Sequence, residues 1–352
     1  MRRVWFLILA ALLAGAPSAA PTKRNAARRT LDIYYVDVEG GAATLIVTPA
    51  GESILIDAGW PGNGSRDAKR IQQAMRQAGV AQIDHLIITH YHIDHFGGLA
   101  ELAQLVQVKH FYDRGPLAPE TSEYKGDPKM YQGYLATVKN RNTALKPGDT
   151  IQLKAASGQP PVTLRCLAAG GQTLVHKAAD AQNQACASAT SQPEDTSDNA
   201  RSVVLRLGYG GFDFFDAGDL TWNVEQKLVC PSNLVGEVDL YQVTHHGMNI
   251  SNNPVLLNSL RPTVAIMNNG PRKGGHPDTV KWLREVSSIK DIYQVHRNVA
   301  AGVEQNAPAE FIANLDEQHE PANLITVSVD AAKKVFTVTN GRTGASKSYP
   351  FK

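Results

Sequence analysis

The segment Thr89-His90-Tyr91-His92-Ile93-Asp94-His95-Phe96-Gly97-Gly98 constrains this chain more than any other stretch. Four potential metal ligands, His90, His92, Asp94 and His95, fall within six residues. They stand directly behind Ile83–Thr89, an apolar run that reads as a buried strand. On extended backbone His90 and His92 project to the same side. Asp94 and His95 arrive as the chain turns into the paired glycines, so they reach a different point. One strand end is therefore expected to serve two divalent metal ions. Imidazole combined with carboxylate suits zinc, with manganese and iron as alternatives.

Around this cluster the chain alternates strand and helix patterns. Leu31–Val38, Ala43–Thr48 and Ser53–Asp57 read as strands divided by turn residues. Residues 65–79 have helical spacing, as do Leu99–Val106 and a stretch near Pro128–Asn140. Residues 114–150 are expected to form an insertion or lid beside the cluster. A strand is expected near Val162–Leu167. Residues 169–200, rich in Ala, Gln, Ser and Asp, are expected to be a long loop. Strands at Ser202–Leu207, Phe212–Ala217, Val238–Thr244, Thr263–Met267 and Ile292–Val295 interleave with helices at Thr221–Val229, Pro254–Leu260 and Thr279–Ser287. The β-rich tail carries Asn340-Gly341, a hairpin signal. Two sheets packed together with helices outside would satisfy this order.

The N-terminus has the layout of a secretory signal peptide: Met1-Arg2-Arg3, an apolar run from Val4 to Ala16, and small residues through Ala20. That run is too short to span a bilayer, which takes about 20 residues. Residues 1–20 are thus expected to be removed and 21–30 to be a flexible mature N-terminus. The expected product is periplasmic or secreted, with no membrane span. Cleavage removes two arginines and leaves 33 basic against 33 acidic residues, so charge gives no strong nucleic-acid signal. Three cysteines, Cys166, Cys186 and Cys230, allow one disulfide in an oxidising compartment, with the pairing open.

His-x-His-x-Asp-His after a strand resembles the metal-binding signature of the metallo-β-lactamase superfamily. Ile54-Leu55-Ile56-Asp57-Ala58-Gly59, Phe215-Asp216-Ala217-Gly218-Asp219 and Thr244-His245-His246-Gly247 resemble its other motifs, in the same order. Tyr35–Gly41, Asp198–Leu205 and Gly275-His276-Pro277 look like the soluble hydrolase domain of ComEC competence proteins. The resemblance implies an α/β (α+β) fold, a four-layer αββα sandwich. It implies a hydrolase domain over 31–300, with 301–352 as a β-rich extension packed on it.

Carried over by position, His90 and His92 would hold one metal and Asp94 and His95 the other. Asp219 would lie between them and His245 would complete the second site. His246 is the neighbouring alternative, and Asp57 would support the metal-bound histidines from behind. Many relatives place a third histidine before the strand that starts here at Ser202. This chain has Asp198 and Asn199 there, so Asp198 is expected as the substitute ligand. Asp94 and Asp219 would handle protons, and His276 would contact an anion or leaving group. The function this implies is metal-assisted hydrolysis of phosphoesters or phosphodiesters, in a small molecule or a polymer. Hydrolysis of a lactam, lactone or thioester is the alternative on the same metals. A secreted binding protein with a degenerate site is the alternative of another class. The sequence leaves the oligomeric state open.

Overall fold

The structure, a computed structural model, describes residues 30–121, 128–317 and 321–352. The proposed signal peptide and nearly all of the 21–30 segment lie outside the described residues. Among the described residues no helix is long and apolar enough to cross a membrane.

The chain builds most of one sheet, then a second, then returns to the first. Six strands come first: β1 Leu31–Tyr35, β2 Thr44–Val47, β3 Ser53–Ile56, β4 Gln82–Ile87, β5 Gln107–Asp113 and β6 Asn142–Ala144. The next nine form the second sheet: β7 Thr150–Ile151, β8 Val162–Ala169, β9 Gln172–Thr173, β10 Val204–Tyr209, β11 Phe212–Asp216, β12 Leu240–Gln242, β13 Val264–Met267, β14 Asp291–His296 and β15 Ile312–Asn314. The last three, β16 Ile325–Asp330, β17 Val335–Asn340 and β18 Ser346–Pro350, pair back onto β1. The tail expected as an extension thus supplies three strands of the first sheet. Strand β5 has no counterpart in the sequence reading.

Burial explains the layers. Strands β2, β3 and β13 are buried at every position, because both faces are covered. Strands β1, β16 and β17 alternate buried and half-buried residues, because only one face is fully covered. One core lies between the sheets, with Ile33, Ile46, Leu207, Phe214, Val327 and Phe336 among its members. A second core covers the outer face of the first sheet. It includes Ile71, Met75, Leu99, Leu102 and Val138 from helices α1 Arg66–Ala78, α3 Leu99–Leu105 and α4 Pro128–Val138; α2 is the single turn Ile93–Phe96. The third core lies outside the second sheet, under α5 Trp222–Val229, α6 Pro254–Leu260 and α7 Pro277–Glu285. This is the αββα order.

The long 169–200 segment is irregular apart from β9 and two short 3-10 turns, Gln184–Ser188 and Asp198–Arg201. It is fastened to the second sheet's helices by a disulfide from Cys186 to Cys230 at the end of α5. Cys166 is the remaining thiol, buried in the core between the sheets.

Candidate metal centre

Three strand ends converge where the two sheets meet. Strand β4 runs into His90–His95, β11 into Asp219, and β12 into His245-His246. Backbone hydrogen bonds lock the junction: Val203 N–H to Thr89 O at 2.9 Å, His245 N–H to Gly218 O at 2.9 Å and Ala42 N–H to Asp94 O at 3.1 Å. Gly218 has a positive φ of 52°, and a Cβ there would lie 2.8 Å from Thr89 Cβ, so only glycine lets the segments approach.

Asp219 is the centre of the arrangement. Its Oδ2 lies 3.2 Å from His95 Nε2, 3.3 Å from His245 Nε2 and 3.8 Å from His90 Nε2. Its Oδ1 lies 3.4 Å from His246 Nε2. Asp94 Oδ2 is 3.2 Å from both His95 Nε2 and His246 Nε2. Two sets suited to a cation result: Asp94, His95, Asp219 and His246, and His90, His92 and Asp219. All are buried except His92, which is half-buried.

The second layer fixes which nitrogen of each ring faces inward. His95 Nδ1 donates to Asp57 Oδ2 at 2.7 Å. Asp57 also accepts from Thr89 N–H and Thr89 Oγ1, each at 2.8 Å. Since the Thr89 hydroxyl donates to Asp57, its oxygen accepts from His90 Nδ1 at 3.1 Å. His246 Nδ1 donates to Asn268 O at 2.9 Å. Ser251 Oγ donates to Leu220 O and so accepts from His245 Nδ1 at 3.1 Å. In each ring Nδ1 carries the proton and Nε2 presents a lone pair.

These lone pairs require a cation. His95 Nε2 and His246 Nε2 face each other at 3.2 Å, against the oxygens of two carboxylates. His90 Nε2 is buried and forms no hydrogen bond. Burial holds the His90 imidazole well below its ordinary range and takes His245 down to about 4, so both offer neutral nitrogen. Burial would do the same to His95, but Asp219, Asp94 and Asp57 outweigh it and raise that ring well above its ordinary value. The donor set fits divalent metals.

Two expected residues are placed elsewhere. Asp198, expected as the substitute ligand, is outside both sets. Its Oδ2 accepts from Tyr91 N–H at 2.7 Å and Arg114 Nε at 3.1 Å, and its Oδ1 accepts from Arg114 Nη2. The reason is electrostatic: the Arg114 guanidinium is 2% exposed and needs a buried counter-charge. His276, expected to act on substrate, caps α7, its Nδ1 accepting from Asp278 N–H at 3.2 Å. Its backbone N–H still donates to Gly247 O at 2.9 Å, which keeps it beside the histidine doublet. His246 joins the Asp94–His95 set, where sequence favoured His245.

Thr89 and Ser251 were not anticipated as supports, and no motif spacing marks them. Nor was Lys273, whose ammonium is bonded to Asp94 Oδ2 and lies 5.3 Å from the centre of the Trp60 ring. A cavity of about 1330 Å³ has Thr221, Trp222, Asn223, Asn249, Asp278 and Trp282 in its wall, on the segments that follow Asp219, the doublet and His276, and none of the metal-set residues lines it.

Residues 36–170 match the Metallo-beta-lactamase superfamily. The chain is 25% identical over 271 residues to the competence protein ComA of Neisseria gonorrhoeae, covering 76% of this chain and 30% of that protein. It is 24% identical over 270 residues to recombination protein 2 of Haemophilus influenzae, covering 75% and 28%. It is 31% identical over 113 residues to the hydroxyacylglutathione hydrolase of Cupriavidus metallidurans, covering 32% and 35%. The chain thus spans about a third of the length of these relatives. Among solved structures, the metallo-beta-lactamase fold protein YhfI of Bacillus subtilis aligns with a TM-score of 0.45 at 13% identity, over 75% of this chain and 96% of that one.

The superfamily match over residues 36–170 falls on the part of the two-sheet fold that carries the histidine-aspartate cluster, beside a residue set suited to divalent metals. Over about three quarters of its length the sequence is similar to competence protein ComA and to recombination protein 2.

Proposed function

We propose that this chain is an exported hydrolase that uses two divalent metals, zinc above all, to cleave phosphoester or phosphodiester bonds. The observation that carries the metal chemistry is the set of inward Nε2 lone pairs around Asp219, with the buried His90 Nε2 left without a hydrogen bond. His90, His92 and Asp219 would hold one metal, and Asp94, His95, Asp219 and His246 the other. His245 faces Asp219 Oδ2, the oxygen that His90 also faces, and is proposed to complete the first set where Asp198 does not. When bound, the two cations would lower the pKa of a water and offset charge developing on the ester oxygens.

The chain's own residues do the rest. Asp57 holds His95 in one tautomer and one orientation, and Thr89 does the same for His90. Asp219 and Asp94 are the carboxylates within reach of the reacting water and can hold its proton. His276, whose backbone N–H is bonded to Gly247 O, is proposed to meet a leaving group. The Cys186–Cys230 disulfide supports export, because such bonds persist in oxidising compartments. The preference for phosphorus rests on the likeness to the ComEC branch. Thioester or lactone cleavage is the second reading, favoured by the 31% identity to a hydroxyacylglutathione hydrolase.

The test is metal analysis of purified protein with a chromogenic panel: bis-p-nitrophenyl phosphate, a lactone and nitrocefin. Two metal equivalents and chelator-sensitive turnover of the diester are expected, lost in both His92→Ala and Asp219→Ala. Turnover of the lactone or nitrocefin alone would refute the phosphodiester reading. Full activity in either variant would refute the site.

A further inference from the structure

We infer that Lys273 is the residue that selects an anionic substrate, by donating to a charged oxygen of the group held at the cluster. This rests on the hydrolase reading above and adds to it the residue that reads the substrate's charge.

Lys273 lies on the loop between β13 and α7, and the fold presses that loop against the centre. Gly275 N–H donates to His246 O at 2.8 Å, and Gly270 N–H closes the loop on Lys273 O at 2.8 Å. A Cβ on Gly274 would meet His246 O at 2.1 Å, and one on Gly270 would meet the Glu39–Gly40 backbone at 2.5 Å. The Lys273 Cβ itself packs against Gly40. The base of the side chain is therefore fixed between the Glu39-Gly40-Gly41 turn and the histidine doublet.

From that base the ammonium reaches Asp94 Oδ2 across the Trp60 ring. Asp94 does not need it as a counter-charge, since a cation held by Asp94, His95, Asp219 and His246 would supply one. A fixed positive charge there also opposes metal binding, so its placement calls for a compensating use. Lys273 is 34% exposed, against 8% or less for His90, His95, His245, His246, Asp94 and Asp219. It is the face of the charged cluster that an arriving group meets. An ammonium has three N–H donors. One is on Asp94, and the exposed side of the group gives the others room to meet a substrate oxygen. Trp60 holds the charge in place by a cation–π contact at no cost in donors. A neutral ester gains little from this arrangement; a phosphate or carboxylate oxygen gains a charge-assisted hydrogen bond.

The experiment compares wild type, Lys273→Ala and Lys273→Arg, each zinc-loaded. The substrates are bis-p-nitrophenyl phosphate, an anion, and p-nitrophenyl acetate, a neutral ester. Inorganic phosphate binding is followed by calorimetry and zinc content by mass spectrometry. Lys273→Ala should lower the diester-to-acetate ratio of kcat/KM by about 10-fold, mainly through KM, which is the worth of one charge-assisted bond at a partly exposed site. Phosphate should bind about 10-fold more weakly, zinc content should hold, and Lys273→Arg should recover most of both losses. Equal losses on both substrates, or a fall in zinc content, would assign Lys273 a structural role and overturn the inference. An unchanged ratio with unchanged phosphate binding would also overturn it. If wild type fails to cleave the diester, the phosphodiester reading fails by itself, and phosphate binding still decides the role of Lys273.

Discussion

Replacing Asp198 by alanine decides between two roles for the residue that stands where many relatives have a histidine. Its carboxylate accepts from Arg114 Nε, Arg114 Nη2 and Tyr91 N–H. Both charged partners are buried, at 0% and 2% exposure, so solvent does not screen the pair. Removing the carboxylate strands a guanidinium in the interior, which costs about 3–5 kcal/mol. Taking a urea slope of about 3 kcal/mol/M for a chain of this size, the midpoint should fall by about 1–2 M. The assay is urea unfolding followed by tryptophan fluorescence, with zinc content measured on the folded protein. Asp198→Ala should be much less stable and should still bind two zinc ions. The double variant Arg114→Met/Asp198→Leu should regain more than half of the lost stability, because it removes both charges. If Asp198→Ala keeps its midpoint and loses one zinc, the ion-pair reasoning is refuted and Asp198 is a ligand after all.

Two further outcomes follow from the same geometry. Asp57→Asn should fold normally, because Asp57 has a φ of 62° and asparagine tolerates that region. It should bind the second zinc about 10–100-fold more weakly in a chelator competition, since the anionic acceptor behind His95 is gone. An unchanged zinc affinity would show that Asp57 does not tune the ligand. Burial raises Asp216 and Glu225 each to about 7. Their folded values exceed their unfolded ones, so both favour folding at low pH. That contribution is lost as pH rises from about 4 to about 7, on the order of a few kcal/mol for each group. Asp216→Asn and Glu225→Gln should each flatten the fall in urea midpoint over this window, and a slope identical to wild type would contradict the buried-carboxylate argument.

How much of this was legible in the sequence depended on where each constraint resides. Strands β2, β3, β4 and β13 were readable because helices cover their outer faces and force long apolar runs. Strand β5, Gln-Val-Lys-His-Phe-Tyr-Asp, escaped because its first four residues are exposed or half-buried and polar but for Val108, and its strand state comes from parallel pairing with β4 and β6. The ligand cluster was readable because its members are contiguous. Arg114 and Asp198 are 84 residues apart, and only the meeting of the two sheets makes them partners. The Cys186–Cys230 pairing is likewise a product of topology, as the helix end at Cys230 approaches the loop that carries Cys186.

The histidine doublet shows why site register resists sequence reasoning. On a strand, neighbouring residues point to opposite faces, so one ligand and one supporting residue is the natural assignment for His245 and His246. The chain is not extended there. His245 has φ 56° and His246 φ 53°, both in the left-handed region, which residues with a Cβ rarely adopt. That turn swings both rings inward, His245 onto Asp219 Oδ2 and His246 onto Asp219 Oδ1. Such backbone persists only when its surroundings hold it. Here Ser251 and Asn268 O grip the two Nδ1 atoms, while Gly274 and Gly275 pack directly on His246 O. The strain thus yields two inward nitrogens from adjacent residues. This is how a chain lacking the usual third histidine can still place a further imidazole on the side of Asp219 that His90 faces.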